Sequence, residues 1–72
     1  MSPDKMVTMA NQIATFFDSQ PGDPAKAIAG HLCDYWDPDM RRQLADYVRD
    51  GGARLLPTVC EAIGRIEQAR GA

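Results

Sequence analysis

The sequence predicts an all-α protein, a compact array of four short helices. Three observations carry that expectation. Apolar residues recur at intervals of three and four along four separate stretches. A proline opens each stretch, and three of these prolines follow a capping residue, in Ser2-Pro3, Asp23-Pro24 and Asp37-Pro38. No alternating run of β-branched residues, internal repeat or low-complexity tract interrupts the pattern. The 72 residues make a single helical domain, 1–72. Ordering a chain costs about 1.5 kcal/mol per residue, so a core this small leaves little net stability, and docking on a partner or self-association is expected.

The first helix is expected over residues 3–18. Met6, Met9, Ala10, Ile13, Phe16 and Phe17 form a broad apolar arc, and Val7, Asn11 and Ala14 form a weaker stripe on another side. Ser19-Gln20-Pro21-Gly22 is turn chemistry. The second helix, 24–36, places Ala25, Ile28, Ala29, Leu32, Tyr35 and Trp36 on one face. Its interior Gly30 costs about 1 kcal/mol against Ala, which points to a close backbone approach or to tolerated drift. The third helix, 38–50, turns Met40, Leu44, Tyr47 and Val48 inward, and Gly51-Gly52 ends it with one glycine in the left-handed position. The fourth, 57–69, has Leu56, Val59, Cys60, Ile63 and Ile66 as its stripe. Leu56-Pro57 lacks a capping side chain, so this start is expected to be the least well defined, with Thr58 as a possible substitute.

The net charge of −2 lacks the basic stripe that general nucleic-acid binding requires. No apolar run is long enough to span a membrane, and the N-terminus has no signal-peptide pattern, so a cytoplasmic protein with no membrane partner is expected. Cys33 and Cys60 form no C-x-x-C pair and His31 is the single histidine, so a zinc site is not expected and both thiols should be reduced. No nucleophile motif or phosphate loop is present, and the expectation is no catalytic residue, no cofactor and no metal.

What remains are aromatic and arginine residues around the corner Tyr35-Trp36-Asp37-Pro38-Asp39-Met40-Arg41-Arg42. Trp36 is either the keystone of the core or a partner anchor. Arg41 and Arg42 either lie on a solvated face, with Asp39 and Asp46 in reach of Arg42, or bind a partner's carboxylate or phosphate. One of Phe16 and Phe17 should reach the domain's edge. Asn11 is either solvated or a polar contact to another chain, and His31 either packs at the edge of the buried face or makes a pH-sensitive contact. The candidate partner-binding set is therefore Asn11, Phe16, His31, Trp36, Arg41 and Arg42. Tyr35 and Met40 are expected to pack the corner.

Met9-Ala10-Asn11-Gln12-Ile13-Ala14 is followed by Phe16-Phe17, then by Ile28-Ala29 and His31, then by Tyr35-Trp36-Asp37-Pro38 with Met40-Arg41, and finally by Gly51-Gly52 before the last helix. That succession resembles the small delta subunit of the soluble, NAD-dependent, molybdenum-containing formate dehydrogenases. Tyr35 stands where that family tends to have Phe, Leu32 for Ile, and Asp39 for Arg, which reverses one charge at the corner. The resemblance implies an accessory protein. In such enzymes the molybdenum bis-guanine-dinucleotide cofactor, the iron–sulfur clusters and the flavin belong to other subunits. It further implies docking on the large molybdenum-containing subunit, or a transient role in cofactor insertion, with homo-oligomerisation in isolation as a further expectation. A small helix-turn-helix regulator is the alternative from another class, invited by the tight corner and Arg41-Arg42 and opposed by the acidic balance.

Overall fold

The computed structural model describes residues 2–71, and among them only helices form: α1 (Pro3–Asp18), α2 (Pro24–Tyr35), α3 (Pro38–Arg49) and α4 (Pro57–Gly71). Local chemistry sets three of the starts. Lys5 N–H donates to Ser2 Oγ at 3.3 Å, Lys26 N–H to Asp23 Oδ1 at 3.3 Å and Met40 N–H to Asp37 Oδ1 at 2.9 Å. In each case proline takes the first helical position, where its missing N–H is no loss.

The corner between α2 and α3 is made by two extended residues. Trp36 N–H still donates to the Leu32 carbonyl at 3.0 Å, but Trp36 (ψ 137) and Asp37 (ψ 162) leave the helical region. Pro38 drives Asp37 out of it sterically, and Trp36 is already extended as the C-cap, so α2 ends at Tyr35, one residue short of the sequence expectation. α3 likewise stops at Arg49, with Asp50 as its cap. Gly51 and Gly52 have positive φ (123 and 61), and Gly52 N–H returns to the Tyr47 carbonyl at 3.0 Å. A Cβ on Gly52 would sit 3.2 Å from Cys60 Sγ, so backbone conformation and space both call for glycine there.

The core takes Met6, Ala10 and Ala14 from α1, Ile28, Leu32 and Trp36 from α2 and its cap, Leu44 and Ala45 from α3, and Val59, Ala62 and Ile63 from α4. Its larger aliphatic members contribute roughly 1.5–3 kcal/mol each on burial. Every ion pair among the described residues is exposed, and such pairs add about 0–1 kcal/mol apiece. α2 packs most extensively on α4, with α1 beside both.

Two expectations about faces need correction. Tyr35 does not pack the corner: it is 77% exposed. The buried stripe of α2 runs Ala25, Ile28, Leu32, Trp36, and Tyr35 falls on its flank. On α1 the supposedly weaker stripe is core, because Val7 and Ala14 are buried while Met9, Ile13 and Phe17 are only partly so. The reason lies outside the helix. Asn11 of that stripe bonds Arg54 and Leu56, so the segment leading into α4 lies over it. Met40 packs partly against the core, as expected.

Candidate functional site

The sequence candidates separate into three groups in space. Phe16 and His31 belong to a row of rings across α1 and α2. Phe16 meets Phe17 edge-on at 5.1 Å between centroids, Phe17 meets His31 at 5.9 Å, and His31 lies against Tyr35 at 4.7 Å. Phe16 is 59% exposed, as the expectation of one edge Phe requires, and Tyr35 closes the other end of the row. His31 and Tyr35 stand four residues apart on one side of α2, which is why their rings meet. Edge-on and tilted ring contacts hold the row in order without a buried polar atom.

Trp36 is in the second group. It is 6% exposed and belongs to the core at the corner. Asn11 is also engaged inside the chain. Its Nδ2 donates to the Arg54 carbonyl at 2.8 Å, and its Oδ1 accepts the Leu56 N–H at 2.9 Å. Leu56 precedes Pro57, so Asn11 anchors from another helix the residue that leads into α4. Thr58 does not take that role, since its hydroxyl donates to Asp18 Oδ2 at 3.1 Å. Arg54, at φ 69, completes the joint with an ion pair to Asp4 at 2.7 Å, and Tyr47 Oη donates to the Ala53 carbonyl at 2.7 Å.

Arg41 and Arg42 form the third group, on the opposite flank of α2 from the rings. Arg41 Nη1 donates to the Cys33 carbonyl at 3.1 Å, one of the last carbonyls of α2 and therefore without an intrahelical partner. Arg42 pairs with Asp39 at 3.3 Å; Asp46 pairs instead with Arg49 at 2.7 Å. Both Arg41 and Arg42 line an open groove of about 600 Å³ between α2, α3 and α4, together with Lys26 and Arg65. Arg65 bonds Asp23 at 2.6 Å and Glu61 at 3.1 Å. That first bond, joined by the Lys26 N–H, holds the Asp23 carboxyl below its ordinary value.

Lys26 has no role in the sequence expectations, which pack Tyr35 at the corner and take Gly30 as a close backbone approach or tolerated drift; the structure puts Lys26 and Gly30 on the groove and Tyr35 in the ring row. The spacing of His31 and Tyr35, and the interior Gly30, were the available signals. Both thiols are free, Cys33 exposed and Cys60 half-buried. No group of His, Cys, Asp and Glu among the described residues is placed to hold a metal, and no helix is long and apolar enough to cross a membrane.

Comparison with known proteins gives this geometry a context. A family model described as the NADH-dependent formate dehydrogenase delta subunit FdsD matches residues 5–63. The chain belongs to this family. As a delta subunit of an NAD-dependent formate dehydrogenase, it is part of a complex with other subunits. The matched span of the delta-subunit family runs from the first turn of α1 into α4 and contains the whole ring row, Asn11, Trp36, Arg41 and Arg42. No curated protein and no solved structure matches the chain.

Proposed function

We propose that the chain is a non-catalytic, cytoplasmic accessory subunit that docks on the large molybdenum-containing subunit of formate dehydrogenase and supports its assembly or activity. The observation that carries this reading is the row Phe16–Phe17–His31–Tyr35, exposed at its Phe16 and Tyr35 ends and half-buried between them. Aromatic residues are enriched at the centres of protein interfaces, where each buries a large area at small entropic cost. Here the rings already brace one another, so docking has less side-chain freedom to remove. Trp36 and Asn11 enter this reading as supports: one holds the corner, the other the start of α4. Arg41 and Arg42 supply charge on the other flank.

The test is to purify the complex with Phe16→Asp and Tyr35→Asp combined. Both side chains are exposed, so the helical signal of the isolated variant should match the parent. The expected result is loss of the small chain from the purified complex, with a parallel fall in formate oxidation. Retention of both with the double variant would overturn the aromatic docking surface. The mass of the intact complex separates a resident subunit from a transient cofactor-insertion factor: a stoichiometric small chain supports the former, its absence from active enzyme the latter.

A further inference from the structure

The groove between α2, α3 and α4 concentrates positive charge around an apolar lining. The chain carries a net charge of −2, yet four of its eight Lys and Arg residues line this one groove and no acidic residue does. The cations come from all three walls: Lys26 from α2, Arg41 and Arg42 from α3, Arg65 from α4. Arg42 and Arg65 have carboxylate partners beside the groove, but Lys26 and Arg41 have none among the described residues. Between the cations the lining is apolar and small, with Ala29 and Gly30 on one side and Ile66 and Ala69 on the other.

Gly30 adds an independent point. It sits inside α2, where glycine costs about 1 kcal/mol relative to alanine. A Cβ there would meet nothing within 4 Å, so no packing within this chain requires the glycine. Its absent side chain leaves backbone bare at the floor of the groove, where an outside backbone could come close.

We infer that this groove binds an acidic amphipathic helix of a partner protein, with its small aliphatic face on Ala29, Gly30 and Ile66 and its carboxylates toward Lys26 and Arg41. Charge complementarity selects this occupant: an apolar floor rimmed by cations matches a helix with carboxylates along the edges of an apolar stripe. A phosphate ligand fits less well. The start of α3 borders the groove, but Met40 N–H is taken by Asp37 Oδ1 and Arg41 N–H by the Asp37 carbonyl, and no aromatic ring lines the groove to stack a base. The site lies on the far flank of α2 from the ring row and does not depend on it.

The full chain is titrated against a fluorescent synthetic helix bearing Leu and Ala on one face and Glu along its edges, and against a twin with Gln in place of Glu. The Glu helix is expected to bind, the twin about tenfold more weakly, and added salt to weaken the Glu helix. Lys26→Glu and Gly30→Leu should each lower affinity by about tenfold or more while leaving the fold intact, since both positions are exposed. Equal binding of the two helices, no binding of either, or unchanged affinity in Gly30→Leu would overturn the inference. So would complete displacement by pyrophosphate at a concentration where matched sodium chloride has no effect, which would mark a small-anion site. Because the isolated chain is used, failure here leaves the ring-row reading standing.

Discussion

Replacing Asn11 by Ala probes the joint between α1 and α4. The side chain makes two hydrogen bonds, at 2.8 and 2.9 Å, and the second satisfies the Leu56 N–H in a partly buried setting. Each bond contributes about 0.5–1.5 kcal/mol net, and a buried N–H left without an acceptor costs about 1–3 kcal/mol. The expected loss is therefore about 2–3 kcal/mol. That is a large share of the whole, because a domain of 72 residues has roughly 4–11 kcal/mol at about 0.05–0.15 kcal/mol per residue. At about 4–8 °C per kcal/mol for this size, Tm should fall by roughly 10–20 °C. Urea denaturation of the isolated chain measures the loss, and hydrogen exchange at the Leu56 amide localises it. Asp4→Asn, which removes only the exposed ion pair to Arg54, should change stability by less than about 1 kcal/mol. If Asn11→Ala unfolds within about 0.5 kcal/mol of the parent, and Leu56 exchanges no faster, Asn11 does not hold the start of α4.

Two further predictions follow from the core and the charges. Trp36→Ala empties the buried corner and should cost about 3–5 kcal/mol, enough to unfold much of the population, whereas Trp36→Phe should keep a cooperative thermal transition; an unaffected Trp36→Ala would remove Trp36 from the core. Asp23 has a lowered carboxyl pKa in the fold, chiefly through its bond to Arg65, so its contribution is complete above the unfolded value of about 3.9 and lost as pH falls through the lower folded value. The Tm gap between the parent and Arg65→Met should accordingly hold from neutral pH to about pH 5 and close below about pH 4; a gap that widens on acidification would contradict the pairing.

The helices were legible because their signals are local. Ser2, Asp23 and Asp37 each cap the helix whose proline follows, and the two glycines after α3 close it as their position implies. What escaped the sequence depends on which neighbour covers which stripe. Val7, Asn11 and Ala14 have the spacing of a minor face, and only the chain passing over them makes that face buried. Tyr35 has the right spacing for a broad core stripe, yet the stripe is narrower and Trp36 occupies its end. Phe16 and His31 were recognisable singly, but their membership of one row needs the packing of α1 on α2. Arg41 and Arg42 suggested a charged contact, while the groove they border exists only once Lys26 and Arg65 arrive from other helices.

The side-chain links between α1 or its following turn and the far end of the chain have a kinetic consequence. Asp4 reaches Arg54, Asn11 reaches Leu56, Asp18 reaches Thr58 and Asp23 reaches Arg65, over separations of 50, 45, 40 and 42 residues. Closing a loop of that length costs roughly 3 kcal/mol of chain entropy, beyond a constant term, before any of these bonds forms. During synthesis Asp4, Asn11, Asp18 and Asp23 all emerge well before the residues they bond. These four links can form only once α4 and the segment leading into it have arrived, so the end of the chain completes what α1 and its following turn begin.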